Sequence, residues 1–468
     1  MSVHIRLVGR IWVAAVVALV AVATAAPAHA QGMYYREITK DGRIYVFNNA
    51  ANADRFEKSG EMGVGITMLG AGQNGETLVG DNERALQLYF FKHGMSTAVP
   101  EPPPPVQSIV WRDGKTRITL DNAYLEMSSR VQVRFTEEVP SDNLQLSGTA
   151  SPGDPRGSFR IRRAKFKLEG WMIRNWITFE TQVNYPALTG SNVGAILEDA
   201  SIGIDFTKGR GRFRLQAGQF KPSFGGQEMT SSGSQQFVDR ALVSNSVFRG
   251  RETGLALWGS TPNNKLEWRV GVFNGNGVTR SSNDNDKYQY NARLMWQPNG
   301  SQVLNQRGWI SGPLYSESDF ESTTAPIYAV AVNWESQNNF NATAGTDQRW
   351  QAVSVDGIFK YRGYSLNGMY TMAMRTPETG AEFDAAGFFI QAGKLFRRRT
   401  LELAVRYGQF DPSDLVARNL TKEARVAFSY FYARHGLKWQ NDIGRVETQT
   451  TALTTRLWEF RSQLQFIF

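Results

Sequence analysis

Two runs of basic side chains, each at every second position, are the residues of this sequence best suited to contacting an anion. They are Arg163, Lys165 and Lys167, and Arg210, Arg212 and Arg214. Because apolar residues alternate with them, each run marks one face of a β-strand. Like charges on one strand face repel each other unless anions, water or acidic side chains separate them. The runs therefore predict either an anion-attracting surface or ion pairs that only solvate this face.

A long connecting segment, residues 221–252, adds further candidates. It is rich in Ser, Gly and Gln, and its basic residues include Lys221, Arg240, Arg249 and Arg251. Guanidinium groups suit bidentate contacts with oxyanions, and a segment of this length can fold inward to narrow a lumen. The alternative is that Arg240 and Arg251 pair with Asp239 and Glu252 and only hold the segment in shape.

The composition argues against enzymatic, metal and cofactor chemistry. None of the 468 residues is a cysteine and only four are histidines, so thiolate and zinc sites and Ser-His-Asp triads have few residues to draw on. His93 ends a predicted helix and His435 lies in a predicted turn. We therefore predict no enzyme activity, no metal and no cofactor.

Residues 1–30 have the pattern of a secretory signal peptide. Two arginines precede an apolar run from Ile11 to Ala23, and the small residue Ala30 closes the segment. The run is shorter than the roughly 20 residues that a membrane-spanning helix needs. We predict an exported chain beginning near Gln31, which argues against a nucleic-acid partner despite the formal net charge of +9.

Consecutive prolines from Pro102 to Pro105 divide the exported chain, because such a run forms an extended, semi-rigid spacer. We predict a small mixed α/β module over 31–94, a Pro-rich linker over 95–107 and an all-β region over 108–468. The module has the pattern of short strands and two helices, and no residue in it suggests chemistry. Its apolar helix face covers either its own strands or a partner.

Downstream of Gln107, alternating polar and apolar residues predict sixteen strands. The predicted strands are 124–135, 158–170, 176–185, 198–206, 210–220, 253–259, 265–273, 288–297, 327–334, 349–361, 364–374, 385–396, 400–410, 423–432, 436–443 and 456–468. An even number of strands of roughly ten residues is typical of a bacterial outer-membrane barrel. Short joins follow the even-numbered strands and longer ones the odd-numbered strands, as periplasmic turns and extracellular loops require.

One join, residues 298–326, breaks this rule, so it is either an elaborated turn or a missed hairpin. Tryptophans near strand ends, Trp258 and Trp350 among them, fit the aromatic girdles of a barrel in lipid. The pattern predicts a 16-stranded antiparallel transmembrane β-barrel. A β-sandwich has the same alternation, so a secreted or surface binding protein or adhesin with no channel is the alternative.

The segment from Leu215 to Gly259 resembles the phosphate-selective porin O/P family. It contains GQFK, P and F at a strand end, followed by TSS, FVDR and GRETG. The stretch FRIRRAKFKLEG, 159–170, is similar to that family's second strand, and Phe468 is similar to the carboxyl-terminal signature of outer-membrane barrels. The resemblance covers roughly 124–468 and leaves the module outside.

The resemblance implies a homotrimeric porin in the outer membrane of a Gram-negative-type bacterium, with passive diffusion of small anions, including phosphate, through a basic lumen. Both barrel ends, and hence the module, would lie in the periplasm. Expected partners are small inorganic anions, outer-membrane lipids and the barrel assembly machinery.

Overall fold

The computed structural model describes residues 34–95, 108–112, 115–120, 122–145, 154–185, 196–247, 250–278, 282–283, 285–299, 303–304, 310–311, 313–322, 324–341, 346–396 and 400–468. The predicted signal peptide, 1–30, and nearly all of the predicted linker, 95–107, lie outside these residues. The chain divides into two compact units, Met1–Pro104 and Pro105–Phe468.

The first unit contains the predicted small α/β module. Its elements are β1 (Arg36–Lys40), β2 (Arg43–Phe47), α1 (Ala50–Ser59), β3 (Ile66–Met68), β4 (Thr77–Gly80) and α2 (Glu83–Lys92). The strands pair in the order β1-β2-β4-β3. Asn49 and Asn82 begin the helices by accepting hydrogen bonds from free backbone N–H groups of the first turn. Leu86 of α2 packs on Val46 and Leu78 of the sheet, so this helix covers its own strands.

The second unit is a closed antiparallel barrel of sixteen strands, as predicted. The strands are β7 (Ala123–Gln145), β8 (Arg156–Met172), β9 (Ile177–Asn184), β10 (Ile196–Asp205), β11 (Arg214–Phe220), β12 (Glu252–Ser260), β13 (Leu266–Phe273), β14 (Gln289–Trp296), β17 (Ile327–Asn341), β18 (Thr346–Tyr361), β19 (Tyr364–Pro377), β20 (Phe383–Phe396), β21 (Leu401–Asp411), β22 (Thr421–Ala433), β23 (Leu437–Gln449) and β24 (Leu453–Ile467). Each predicted strand corresponds to one of these. Several strands extend beyond their predicted bounds, as in β7 and β17.

A hairpin that the sequence pattern did not reveal completes the seam of the barrel. It consists of β5 (Ser108–Arg112) and β6 (Lys115–Leu120). The barrel closes where β24 pairs with β7 from Arg130 onward, and β6 pairs with the remaining part of β7, Ala123–Met127. The hairpin therefore continues the wall along β7 beyond the end of β24.

Alternation along the strands separates a polar inner face from an apolar outer face. In β14, Gln289, Asn291 and Arg293 are buried, whereas Tyr290 and Leu294 are exposed. A sandwich would instead bury its apolar faces between two sheets. The closed barrel with its exposed apolar outer face excludes the β-sandwich alternative.

No helix in the described part of the chain is long and apolar enough to cross a membrane.

The irregular join 298–326 is an elaborated turn that carries its own small hairpin. The hairpin pairs β15 (Val303–Leu304) with β16 (Ile310–Ser311) as a separate two-stranded sheet. The count of sixteen barrel strands is therefore unaffected. After β16, residues 313–322 enter the barrel interior, where Leu314, Glu317 and Phe320 are buried.

Candidate functional site

The long segment between β11 and β12 lies inside the barrel, and we call residues 221–251 the constriction loop. It contains two short helices, α3 (Gly226–Met229) and α4 (Leu242–Val247). Side chains on the inner faces of β17, β22 and β23 accept hydrogen bonds from its backbone N–H groups. These bonds join Gly225 to Asn333 (3.1 Å), Leu242 to Glu423 (2.6 Å) and Val238 to Asp442 (3.0 Å). These hydrogen bonds satisfy polar groups of both the loop and the wall, so they hold the loop against one side of the lumen.

An apolar patch on the inner wall also holds this loop. Phe224, Val243 and Val247 of the loop pack on the lumen-facing side chains Trp350, Ala352, Met369, Ala373, Ala385 and Phe389. Trp350 is 2% exposed and Trp258 is 1% exposed. The assignment of these two tryptophans to lipid-facing girdles is wrong, because both side chains point into the barrel.

The other side of the lumen holds an open cavity of about 450 Å³. Strands β7 to β11, β13 and the constriction loop line it with nine basic and four acidic side chains. The basic residues are Arg130, Arg162, Arg163, Lys165, Lys167, Lys221, Arg240, Arg251 and Arg269, and the acidic residues are Glu169, Glu180, Glu198 and Asp199. Basic side chains therefore outnumber acidic ones among the residues that line the cavity.

Six of the ten predicted site residues line this cavity. They are Arg163, Lys165, Lys167, Lys221, Arg240 and Arg251. Arg214 is buried nearer the β10–β11 turn, where its guanidinium lies 4.9 Å from the Trp258 ring centre. The prediction for Arg210 and Arg212 is not supported, because β11 begins only at Arg214 and both side chains are exposed in the turn before it. Arg249 lies outside the described residues.

Most of the predicted cations contact carboxylates. Lys165 pairs with Glu198, and Lys167 lies 2.9 Å from both Glu169 and Glu180. In the loop, Arg240 Nε lies 3.0 Å from Glu228 Oε1 and Arg251 Nε lies 2.9 Å from Asp199 Oδ1. The alternative that these cations form ion pairs is therefore confirmed. However, Arg240 and Arg251 pair with Glu228 and Asp199 instead of the expected Asp239 and Glu252. Basic residues still outnumber acidic ones among the residues that line the cavity.

A β-bulge brings an unpredicted arginine to the site. The register between β7 and β8 shifts at Gln132/Val133, so Arg162 joins Arg163 among the lining residues. Both guanidiniums approach Asp239 of the loop, at 3.6 and 3.8 Å, and Arg134 Nη1 lies 2.8 Å from it. Burial opposes ionisation, but these three cations hold the pKa of Asp239 well below its usual range. Strict alternation along β8 would place the Arg162 side chain on the outer face, so the sequence pattern alone did not predict its position in the cavity.

One serine–histidine contact lies inside the barrel, between Ser316 Oγ and His435 Nε2 at 3.2 Å. A catalytic histidine is oriented by an acceptor on its other nitrogen. Here Nδ1 faces the Lys438 ammonium at 3.3 Å. The pair therefore lacks the arrangement of a catalytic triad.

The barrel, the inward loop and the basic cavity agree with a sequence-family comparison, in which residues 133–466 match the model of the phosphate-selective porin O and P family. The chain belongs to this family. It is an outer-membrane porin, and its family and fold are those of channel proteins. No relative was found among the curated protein sequences compared.

Solved porins share the fold of this porin at low sequence identity. An anion-selective porin from Comamonas acidovorans matches with a TM-score of 0.52 and 8% identity, covering 74% of this chain and 100% of that one. The outer membrane channel DcaP of Acinetobacter baumannii matches with a TM-score of 0.52 and 11% identity, covering 74% of this chain and 98% of that one. These matches support the barrel architecture.

Proposed function

We propose that this porin lets small inorganic anions, phosphate among them, diffuse passively through the basic cavity. The observation that carries the proposal is that nine basic and only four acidic side chains line one open cavity of the lumen. In a confined aqueous pore, such an excess raises the local concentration of anions and lowers that of cations. The family's phosphate-selective description and the anion-selective Comamonas porin support the same sign of selectivity.

The ion pairs serve this function by fixing the cations in place, although each carboxylate offsets part of the positive charge of its partners. Glu198 contacts both Lys165 and Arg251, and Glu169 and Glu180 share Lys167. Each carboxylate holds long side chains that would otherwise be mobile, which keeps the basic groups spaced along the wall. Arg130 instead donates hydrogen bonds to the hydroxyls of Ser231 and Ser232, at 3.1 and 3.3 Å. Its full positive charge therefore remains available to a passing anion.

The remaining parts of the chain take roles consistent with export. We assign residues 1–30 to a signal peptide, 31–94 to a periplasmic module, 95–107 to a linker and 108–468 to the barrel. The short barrel turns then face the periplasm. The barrel assembly machinery inserts the chain among outer-membrane lipids, where it forms a homotrimer. Native electrophoresis with and without boiling tests the homotrimer.

Single-channel conductance in a set of salts tests the proposed selectivity. Replacing chloride by larger anions such as phosphate or gluconate, at constant potassium, should lower the conductance stepwise. Replacing potassium by lithium or a larger organic cation, at constant chloride, should change it little. A conductance that follows the cation and ignores the anion would refute the proposal.

A further inference from the structure

A second inward element, residues 313–322, lies across the short-turn end of the lumen, and we call it the strap. It follows β16 and precedes β17. Glu317, Ser318, Asp319 and Phe320 are each no more than 3% exposed. A short-turn connection has no need to bury four consecutive residues, three of them polar, unless the barrel interior offers partners for them.

The strap is attached to the wall on several strands. Tyr315 donates a hydrogen bond to Glu267 of β13, and Ser318 donates one to Glu402 of β21. Lys360 of β18 donates to the Ser318 carbonyl oxygen at 2.9 Å. At its end, the Phe320 ring packs edge-on against Phe431 of β22, with ring centres 4.9 Å apart. These attachments run from β13, which also lines the basic cavity, to β22 on the side of the lumen where the constriction loop lies.

Glu317 connects the strap to the constriction loop. Its Oε1 accepts a hydrogen bond from Gln227 Nε2 at 2.9 Å, and its Oε2 accepts one from the Gln236 backbone N–H at 2.8 Å. The Glu317 backbone N–H donates to the Ser234 carbonyl oxygen at 3.1 Å. Three loop positions within ten residues therefore contact one strap residue.

Glu402 of the barrel wall also connects the strap with the constriction loop. Gln236 Nε2 donates to Glu402 Oε1 at 2.8 Å, while Ser318 donates to the other oxygen of the same carboxylate. Glu402 thereby holds strap and loop together at one point of β21. At the other end of the strap, Tyr315 lines the basic cavity.

We propose that the strap, together with the wall contacts described above, keeps the constriction loop against the β17–β24 side of the barrel, and that Glu317 is the positioning residue that sets the width of the passage. A carboxylate is required at this position because both of its oxygens face donors. An amide offers one acceptor oxygen and one NH₂ group, so Glu317→Gln loses one of the two bonds in either orientation. The loop is then held less firmly against the β17–β24 wall, moves toward the basic cavity and narrows the passage.

Glu317→Gln tests this inference, with Glu321→Gln as its matched control. Glu321 lies on the same strap with a side chain 45% exposed, 3.9 Å from Arg434. In planar bilayers, Glu317→Gln should lower the single-channel conductance and exclude polyethylene glycols that wild type admits. Glu321→Gln should leave both values unchanged. Wild-type conductance and polymer cut-off in a correctly assembled Glu317→Gln would overturn the inference.

Ser318→Ala decides the question if Glu317→Gln fails to assemble. This change removes only the hydroxyl that bonds Glu402 and should lower the conductance and the polymer cut-off, as Glu317→Gln does. Unchanged values would overturn the inference. Both readouts measure pore width and hold whichever ion is preferred, so a cation-selective wild type would refute the proposed function and leave the strap untouched.

Discussion

Arg251 and Asp199 form a two-point ion pair in which Nε lies 2.9 Å from Oδ1 and Nη2 lies 2.9 Å from Oδ2. The pair ties the end of the constriction loop to β10. The same guanidinium lies 3.2 Å from Glu198, which also contacts Lys165. Loop position and pore charge are therefore coupled at this point, because one side chain contributes to both.

Arg251→Gln should weaken the preference for anions. It removes one positive charge from the cavity and leaves Asp199 and Glu198 with fewer cationic partners, so the field in the passage becomes less positive. The measurement is the zero-current potential in a salt gradient. Arg212→Gln is the control, since it makes the same change in an exposed turn. Equal shifts in the two variants would contradict the placement of Arg251 in the pore.

The register of β8 predicts that substitutions at two neighbouring residues have opposite effects on barrel assembly. Phe166 is 37% exposed on the outer face, and Lys167 lines the cavity. Phe166→Arg places a charge against lipid at a cost of about 2–4 kcal/mol near the midplane and should impair assembly. Lys167→Gln should assemble normally with reduced anion preference. Heat-modifiable mobility on gels measures assembly, and the reverse result would mean that the strand faces are exchanged.

Much of this architecture is predictable from the sequence because strand alternation has a period of two. Gln289 to Leu294 alternates between polar and apolar residues, and the structure turns them inward and outward accordingly. Turn lengths then fix the order of strands. The first basic run also locates the cavity wall, since Arg163, Lys165 and Lys167 line it.

The rest depends on tertiary contacts that leave no periodic signal. The bulge that brings Arg162 inward changes register at a single position. Arg210 and Arg212 continue the spacing of β11, but Asp205 accepts hydrogen bonds from Thr207 and Gly211 and forms a turn there instead. Trp350 appears lipid-facing by residue type and is buried under the loop. The strap lies in a join that has no regular pattern.

Deletion of residues 34–95 should leave the barrel able to assemble, because this module belongs to a separate compact unit. Extending the deletion through Leu120 should impair assembly. The longer deletion removes β6, which pairs with Ala123–Met127 of β7 and leaves those backbone groups without their ladder. Gel mobility and protease resistance measure both variants. Equal assembly of the two would show that the hairpin is dispensable for closure.

The module should lose stability in acid through Glu37. Burial opposes its ionisation, but hydrogen bonds from Tyr35, Lys92 and His93 lower the pKa of Glu37 below its usual 4.5. Its stabilising effect is therefore complete above pH 4.5 and is lost as the pH falls through the lowered value. Glu37→Gln should remove about 0.5–1 kcal/mol at neutral pH, because Lys92 is exposed and solvent screens its interaction with the carboxylate.

Amide hydrogen exchange over residues 34–95 in the full-length protein measures this change, after correction for intrinsic rates. Exposed Glu61→Gln serves as the control and should exchange like wild type. Equal protection of Glu37→Gln and wild type at neutral pH would contradict the assigned role.

The most direct test of the central claim is the zero-current potential of the wild-type porin in a planar bilayer with potassium chloride at unequal concentrations on the two sides. The basic excess of the cavity predicts a potential displaced toward the chloride equilibrium value. Removing cations from the cavity wall by replacing Lys165 and Lys167 with Gln should move it toward zero. A wild-type potential displaced toward the potassium equilibrium value would contradict the account.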